Sequence, residues 1–390
     1  MRVTGYEVFP FANPTPAIGG PNWLFVRLDT DAGISGYGEV FTSSVYAAPL
    51  TMARVVADMV EAYAVGCDPV ETERFSQAVY NAHFTHTGDL GRLAVASGIE
   101  IALWDIVGKS VGRPVYELLG GRVRPSVRMY SYVSPPDGLD ERTFWADDAA
   151  IAARCAELKA LGFGALKHDP FPILSGTASL GGQYVPLQPT EASLAEADRI
   201  MAAIRAGVGP EYGVILGTHG QFTAAGALRV AARLAKYDPL WMEEPVPPDL
   251  PHELAKVRAG TAIPLAAGER LAGLAAYAEL LRLDAVAVVN PDVTQCGGVG
   301  TAKKIAAMAE AVGVQVAPHC FGGPLTAAAT LQVALTVPNL LIMEGNGTYD
   351  GTYADLVTPR LDWRDGYLTP TGRPGLGHDL NEPYARAHAV

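Results

Sequence analysis

The feature that most constrains this chain is a series of polar residues, each of which ends a short apolar run. Successive members are separated by 24, 26, 23, 27 and 25 residues. They are His219, Glu243, Glu269, Asp292, His319 and Glu344. Each interval is about one strand and one helix long, as in VILG, then TAAGALRVAARLAK, then LWMEEP. Such units predict a parallel sheet, and in a (β/α) barrel all strands end on one rim. We therefore expect the active site on that rim.

The first 120 or so residues have a different pattern. Hydrophobicity alternates with period 2 over residues 23–29 and 36–40, which indicates strands. Apolar positions recur at helical spacing over residues 50–64 and 91–111. Strands followed by helices predict an α+β domain in front of the barrel.

The last 40 residues contain many turn-forming residues and are typical of strand and turn rather than of another strand and helix unit. We expect this segment to pack back on the N-terminal domain. The predicted domains are therefore an α+β domain over 1–124, a barrel over 125–350, and a C-terminal segment over 351–390.

Composition excludes several classes of function. The chain has 390 residues, 49% of them hydrophobic, and its 29 basic and 41 acidic residues give a net charge of −12. Phosphate binding needs concentrated Lys and Arg, so we expect no nucleic-acid partner. No apolar stretch approaches about 18 residues, no signal peptide is evident, and the four cysteines are scattered. We expect a cytoplasmic protein with no membrane partner.

Two acidic members of the series suggest a metal site. Glu243 in WMEEP and Glu269 in AAGER would end adjacent strands. Mg²⁺ prefers oxygen ligands, so two or three carboxylates, water and a substrate carboxylate would complete its shell. The alternative is that both are solvated acids at strand ends.

The other polar residues suggest proton transfer. Asp292 in NPD and His319 in APHC are one unit apart, and a carboxylate beside an imidazole fixes its tautomer and raises its basicity. Lys167 and Asp169 in ALKHDPF and His219 in LGTHGQ would face the metal from the opposite side. A lysine there can supply charge or a proton, and a histidine can protonate a departing hydroxyl. Each of these three is equally interpretable as an ordinary rim residue.

Taken together, these motifs resemble the mandelate racemase subgroup of the enolase superfamily over nearly the whole chain. The resemblance rests on motifs in the order and spacing of that subgroup, namely GYGE at 36–39, ASGIEIALWDIVGKSVGRPVYELLGG, LKHDPF, WMEEP, LAAGER, NPDVTQCGGV, VAPHC, IMEGN and PGLG. It implies a (β/α)₇β TIM-like barrel, an N-terminal α+β capping domain completed by the C-terminal segment, and Mg²⁺ chemistry through an enediolate.

The resemblance also implies roles for individual residues. Glu243 and Glu269 match metal ligands, and Asp292 with His319 matches the base. Glu344 matches an acid that hydrogen-bonds the substrate carboxylate, and Lys167 matches the first lysine of the K-x-K element.

Two positions depart from the subgroup. Gly217 stands where the third-strand acidic metal ligand is expected, so the site would be weaker, or His219, Asp169 or water would fill the position. Asp169 stands where racemases have a second lysine, which disfavours a two-base racemase. His219 instead matches the acid of galactonate-type sugar-acid dehydratases.

The sequence therefore predicts a sugar-acid dehydratase. His319, held by Asp292, would remove the proton at carbon 2, and His219 would protonate the hydroxyl leaving carbon 3. Lys167 and the metal would offset the enediolate charge, and the product would become a 2-keto-3-deoxy acid.

The capping domain would supply the surface that binds a polyol. Loops 11–23 and 41–46 would cover the barrel mouth, with Asn22, Trp23 and Tyr46 as candidate substrate contacts. Residues 171–189 are rich in Gly, Pro and Ser and are predicted to form a long loop after the second barrel strand.

Two alternatives to the dehydratase remain open. An acid-sugar or lactone isomerase, cycloisomerase or epimerase would use the same enediolate. A non-catalytic protein that binds acid sugars would follow if Gly217 disables the metal site. Barrels of this group commonly form symmetric assemblies, so we expect a homo-oligomer.

Overall fold

The structure is a computed structural model, and it describes residues 1–42, 49–82, 86, 88–136, 138–171 and 188–390. Tyr46, a predicted substrate contact, lies outside the described residues. So do residues 172–187, which make up most of the predicted long loop.

Short strands run through the whole described chain. The strands are β1 Val3–Ala12, β2 Asn22–Thr30, β3 Ser35–Val40, β4 Val127–Tyr132, β5 Ala165–His168, β6 Gly213–Gly217, β7 Trp241–Glu243, β8 Leu265–Ala267, β9 Val288–Val289, β10 Gln315–Val316, β11 Met343–Gly345, β12 Val357–Thr358, β13 Asp362–Arg364, β14 Tyr367–Thr369 and β15 Asp379–Leu380.

Helices follow most of these strands. The α-helices are α1 Pro49–Met59, α2 Thr72–Asn81, α3 Leu90–Val111, α4 Val115–Leu118, α5 Glu141–Trp145, α6 Asp148–Ala160, α7 Glu191–Val208, α8 Ala224–Leu234, α9 Pro251–Gly260, α10 Leu274–Arg282, α11 Gly298–Ala311, α12 Pro324–Ala334, α13 Thr352–Leu356 and α14 Glu382–Ala387. A π-helical turn, Val60–Ala64, continues α1, and a 3₁₀ turn, Ala235–Tyr237, continues α8.

The chain divides into two compact units. The first contains Met1–Val127, Glu269–Tyr277 and Pro291–Val390, and the second contains Arg128–Gly268 and Ala278–Asn290. Neither unit is one continuous stretch of sequence, and the predicted domain boundaries at 124 and 350 stay a prediction.

In the first unit, β1, β2 and β3 form an antiparallel sheet against which α3 packs. The two come very close, because a Cβ added at Gly38 would lie 1.9 Å from the carbonyl oxygen of Gly98. Glycine at position 38 therefore permits the contact between strand and helix. Apolar residues of this sheet and of α1 and α3, such as Leu24, Val56 and Ile99, form a buried core.

Helix α3 carries the end signals expected of a long helix. Asp89 caps its first turn by accepting a 2.6 Å hydrogen bond from the Arg92 backbone N–H. Gly112 ends it in the left-handed conformation, with φ of 67°. The helix predicted over 91–111 is thus confirmed, and the helix predicted over 50–64 is found as α1 and its π-helical turn.

The C-terminal segment contacts the N-terminal elements within the first unit. Lys109 on α3 lies 2.6 Å from Asp379, and Arg27 on β2 lies 2.7 Å from Glu382. An isolated bridge joins Phe11 to Ala389. Strands and turns were predicted here, but helix α14 was not, because its signals are confined to a cap at Asn381 and a following proline.

In the second unit, neighbouring strands from β4 to β9 pair in parallel and in chain order. The strands read as apolar because both faces are covered, and Leu166, Leu216 and Trp241 are fully buried. Threonine caps begin two of the intervening helices, Thr190 for α7 and Thr223 for α8. None of the described helices is long and apolar enough to cross a membrane.

Candidate active site

Three predicted site positions lie at the carboxyl ends of neighbouring strands of the second unit, and two of them carry polar side chains. Lys167 lies near the end of β5, Gly217 ends β6, and Glu243 ends β7. Gly217 and Glu243 are register partners, and Lys167 is paired with Ile215 one strand away. Parallel pairing thus brings three separated positions of the sequence to the same edge of the sheet.

Lys167 and Glu243 form a buried ion pair. The Lys167 Nζ donates to Oε1 of Glu243, and the two side chains are 0% and 3% exposed. The second carboxylate oxygen, Oε2, accepts a 2.9 Å hydrogen bond from Nε1 of Trp241. The ammonium also lies 4.9 Å from the ring centre of Tyr132. Both charges are therefore compensated inside the fold, as burial requires.

The aliphatic part of Lys167 passes beside the backbone of Gly217. A Cβ added at Gly217 would lie 3.2 Å from Cε of Lys167 and 3.7 Å from Cε1 of His219. The position where the sequence lacks an acidic ligand is therefore bordered by a lysine and a histidine side chain.

His219 is held by Asp169, again within the second unit. Its Nδ1 lies 2.9 Å from Oδ2 of Asp169, and the same oxygen accepts a 2.8 Å hydrogen bond from Nε2 of Gln221. An ionised carboxylate only accepts hydrogen bonds, so we assign the proton to Nδ1 of the neutral ring, which leaves Nε2 basic. His219 lies in a left-handed turn with φ of 47°, and the next residue, Gly220, donates its N–H to the Glu244 carbonyl.

Asp169 therefore has a different environment from the one that its predicted role as a metal ligand requires. Besides the two bonds to Oδ2, its Oδ1 accepts a 2.8 Å hydrogen bond from the Phe171 backbone N–H. Both oxygens are engaged with protein donors. In this structure Asp169 orients His219, and its role as a replacement for the missing ligand at position 217 stays a prediction.

A second His–Asp pair lies in the first unit. The Nδ1 of His319 is 2.6 Å from Oδ2 of Asp292, and both side chains are almost fully buried. Asp292 is fixed in turn, because its Oδ1 accepts from the backbone N–H of Thr294 at 2.7 Å and its Oδ2 from Nε2 of Gln295 at 3.2 Å. As at His219, the contact assigns the proton of a neutral ring to Nδ1.

Two more carboxylates face the other ring nitrogen of His319. Its Nε2 lies 3.7 Å from Oε2 of Glu344 and 4.0 Å from Oε2 of Glu269. The Glu344 oxygen also accepts a 2.9 Å hydrogen bond from the Cys320 backbone N–H. Burial opposes protonation of the ring, but the negative charges of Glu344, Glu269 and Asp292 outweigh it and raise the pKa of His319 to about 10.

The predicted site residues thus form two groups, one in each unit. The first unit brings together Glu269, Asp292, His319 and Glu344, and the second unit brings together Lys167, Asp169, His219 and Glu243.

Several residues that hold these two groups of side chains in place stand inside the sequence motifs, but no role was predicted for them. Trp241 and Gln295 stand inside WMEEP and NPDVTQCGGV, and Gln221 closes LGTHGQ. The available signal was a hydrogen-bonding side chain within three residues of a predicted site residue. Tyr132 carried no such signal.

The two described residues predicted to contact substrate from the capping domain differ in burial. Trp23 is 2% exposed, donates its indole N–H to the Gly19 carbonyl at 2.8 Å, and packs on Phe11 and Tyr353. Its polar group is therefore used inside the fold. Asn22 is partly exposed at the start of β2, and its substrate contact stays a prediction.

The predicted Mg²⁺ site can be tested on these donors. In the second unit, both oxygens of Glu243 and both oxygens of Asp169 accept from protein groups, and Gly217 has no donor. Over the described ranges, no group of three or more His, Cys, Asp or Glu side chains is arranged to hold a metal ion. The donors of the second unit therefore do not fit the predicted metal site, and Glu269, the remaining predicted ligand, lies in the first unit.

Comparisons with known proteins cover almost the whole chain. Residues 7–120 match the model of the mandelate racemase/muconate lactonizing enzyme N-terminal domain, and residues 150–384 match the enolase C-terminal domain-like model. The D-galactonate dehydratase of Klebsiella pneumoniae (strain 342) is 34% identical over 93% of this chain and 90% of its own length.

Solved structures match over all of this chain. The mandelate racemase/muconate lactonizing enzyme-like protein from Roseovarius sp. TM1035 is 37% identical, with a TM-score of 0.93 and 96% of its chain covered. The mandelate racemase/muconate lactonizing enzyme from Jannaschia sp. CCS1 is 36% identical, with a TM-score of 0.92 and 98% covered.

Proposed function

The chain belongs to the mandelate racemase/muconate lactonizing enzyme family of the enolase superfamily, and from this premise we propose that it is a sugar-acid dehydratase. The family match confirms the resemblance found in the sequence and the predicted fold class, a (β/α)₇β barrel with an N-terminal capping domain. Support for the sugar-acid class comes from the curated D-galactonate dehydratases at 34% identity.

One observation carries the proposal, namely that the protein holds two histidines that are each oriented by an aspartate through Nδ1. The pairs are His319 with Asp292 and His219 with Asp169. Elimination of water needs one group to accept a proton from carbon and another to give a proton to the leaving hydroxyl. The proposal assigns the two pairs to these two halves of one reaction.

His319 is the proposed base. In its neutral form Nε2 accepts the proton from the carbon next to the substrate carboxylate, and Asp292 stabilises the imidazolium that results. Glu344, 3.7 Å from this nitrogen, is proposed to hydrogen-bond the substrate carboxylate. Two carboxyl groups can share a hydrogen bond only when one carries a proton, so this role requires one proton on the pair.

His219 is the proposed acid. Its imidazolium gives a proton to the hydroxyl on carbon 3, and the carbon–oxygen bond breaks as the electrons of the former carbon 2–hydrogen bond form the double bond. One water leaves, and the enol product takes up a proton at carbon 3 and gives up the proton of its carbon 2 hydroxyl, which makes it a 2-keto-3-deoxy acid. Asp169 stabilises the imidazolium before transfer and keeps the ring oriented after it.

None of the proposed steps uses a metal ion. Members of the enolase superfamily typically use Mg²⁺. The donors described above do not fit such a site, because the oxygens of Glu243 and Asp169 are already engaged. Every step above is therefore carried by side chains of this protein.

The test is a screen of sugar acids that follows two signals separately. Loss of one water from the substrate mass, together with a 2-keto product, reports elimination. Exchange of the carbon 2 hydrogen with deuterium from solvent reports proton removal. We expect His319→Asn to lose both signals and His219→Asn to keep exchange while losing product.

Three other outcomes would replace the proposal. A product of unchanged mass would indicate an isomerase that uses the same intermediate. Tight binding of a sugar acid without exchange or turnover would indicate a binding protein. Full elimination by the His319→Asn protein would show that His319 is not the base.

A further inference from the structure

Position 217 is a glycine for a reason other than backbone conformation. Its φ lies outside the left-handed region, so an ordinary residue could adopt this backbone. What limits the position is the neighbouring side chain, because a Cβ there would lie 3.2 Å from Cε of Lys167. The space that a side chain at 217 would enter is bordered by the lysine that pairs with Glu243.

One carboxylate at this edge of the second unit is neutralised without a metal. Glu243 contributes one negative charge, and the ammonium of Lys167 neutralises it at hydrogen-bonding distance. The carboxylate of Asp169 accepts hydrogen bonds from His219 and Gln221. A divalent cation is attracted by two or more uncompensated carboxylates, and Glu243 is not one of them because Lys167 neutralises it.

Lys167 is held in this position by more than one contact. The side chain is 0% exposed, and its ammonium lies 4.9 Å from the ring centre of Tyr132 and 6.0 Å from that of Tyr130. Separating it from Glu243 would break a buried ion pair, which is strongly unfavourable. A metal that used Glu243 as a ligand would have to displace this ammonium.

We propose that the ammonium of Lys167 is the resident cation of this site and stands in the place of a divalent metal. Its consequence for catalysis rests on the proposed function: Lys167 offsets the charge on the substrate carboxylate and on the enediolate. The protein then needs no divalent ion. Glycine at position 217 and the Lys167–Glu243 ion pair both belong to this metal-free arrangement.

The test measures Mn²⁺ binding to chelator-treated protein by electron paramagnetic resonance, so it does not depend on activity. We expect Lys167→Met to bind Mn²⁺ at least about tenfold more tightly than the wild type, because Glu243 loses its partner. The matched control is Lys167→Arg, which keeps the charge and should bind as weakly as the wild type. Mg²⁺ should raise the melting temperature of Lys167→Met alone.

A second pair of variants tests position 217. In the Lys167→Met background, Gly217→Asp should tighten Mn²⁺ binding by about another tenfold, whereas the uncharged Gly217→Asn should not. A Lys167→Met protein that binds no more tightly than the wild type would overturn the proposal. Saturable micromolar binding by the wild type would overturn it even if the variants do not fold.

Failure of the proposed function would look different. If the wild type converts no sugar acid, the dehydratase proposal fails, while the comparison of Mn²⁺ affinities still decides whether Lys167 takes the place of the metal. Conversely, turnover that needs added Mg²⁺ and is lost in the presence of a chelator would leave the dehydratase in place and contradict the role of Lys167.

Discussion

At the scale of single residues, the two histidines are oriented alike but are surrounded differently. Each donates from Nδ1 to an aspartate, yet the side chain of His219 is 35% exposed and that of His319 only 10%. Carboxylates lie on both sides of the His319 ring, and they raise its pKa to about 10. In the resting protein at neutral pH, His319 is therefore an imidazolium, and its neutral form becomes abundant only in alkaline solution.

This protonation state predicts an alkaline pH dependence. The proposed base acts only when neutral, so kcat/KM should rise as pH increases towards about 10. Glu269→Gln removes a negative charge near Nε2 and should lower the pKa of His319, which moves the rise to lower pH. A pH–rate profile measures this. The control is Glu310→Gln on the exposed face of α11, and equal profiles for both variants would contradict the prediction.

The orientation of His319 predicts the effect of its partner. In Asp292→Asn, a neutral amide replaces the carboxylate that accepts the hydrogen bond from Nδ1 of His319. The ring therefore loses both its preferred tautomer and the stabilisation of its imidazolium. We expect kcat to fall by roughly three to four orders of magnitude with little change in KM. Thr294→Val, which removes only the hydroxyl hydrogen bond to Asp292, should cost far less in the same assay.

At the scale of elements, two buried glutamates of the N-terminal elements hold the starts of later helices. Glu39 at the end of β3 accepts from the backbone N–H of Gly323 and Thr326 at α12. Glu100 on α3 accepts from the N–H of Val299 at 2.8 Å and of Gly300 at 2.9 Å at α11. Carboxylates suit these positions because helix N-termini carry unsatisfied donors and partial positive charge. Burial raises the pKa of each to about 7, against the effect of these bonds.

Glu100 should therefore matter for stability rather than for chemistry. Glu100→Ala leaves buried N–H groups without an acceptor, and we expect the free energy of unfolding to fall by about 1–3 kcal/mol. Urea titration followed by circular dichroism measures the change. Glu73→Ala is the control, because Glu73 is exposed and forms a surface ion pair with Lys304, which should contribute less than about 0.5 kcal/mol. Equal losses would contradict the capping role.

At the scale of the whole molecule, the first unit joins the beginning and the end of the chain. Asp105 on α3 is fully buried and accepts from the N–H of Tyr37 at 2.9 Å, from the N–H of Leu376 at 2.8 Å, and from Nζ of Lys109 at 2.7 Å. Gly375 is required beside it, because its φ is 71° and a Cβ there would lie 2.0 Å from Oδ1 of Asp105. One carboxylate thus ties β3, α3 and the PGLG turn together.

Loss of that carboxylate should loosen the C-terminal segment. We expect Asp105→Ala to lower the free energy of unfolding by about 3–5 kcal/mol, because it removes one partner of a buried ion pair. Hydrogen exchange at the amide of Leu376 should accelerate more than exchange at amides of the second unit. The control is Asp362→Ala, whose carboxylate is exposed on a hairpin. Unchanged exchange at Leu376 would count against this role.

The predicted homo-oligomer stays a prediction.

The sequence by itself determined the alternation of strands and helices outside the C-terminal segment and the pairing of Asp292 with His319. Periodicity reports which faces are buried, and strand and helix units that recur about every 25 residues predict parallel strands. Because such strands end at the same edge, a polar residue after each one predicts which side chains gather there. The family motifs added the capping domain.

Only the tertiary structure decided which partner each of the other site residues contacts. Asp169 bonds His219 across 50 residues of sequence, and Lys167 bonds Glu243 across 76. Trp23 packs inside the fold although its neighbours read as a loop. These contacts depend on side-chain direction and on distances of a few ångströms, and neither hydrophobic period nor spacing along the chain carries that information.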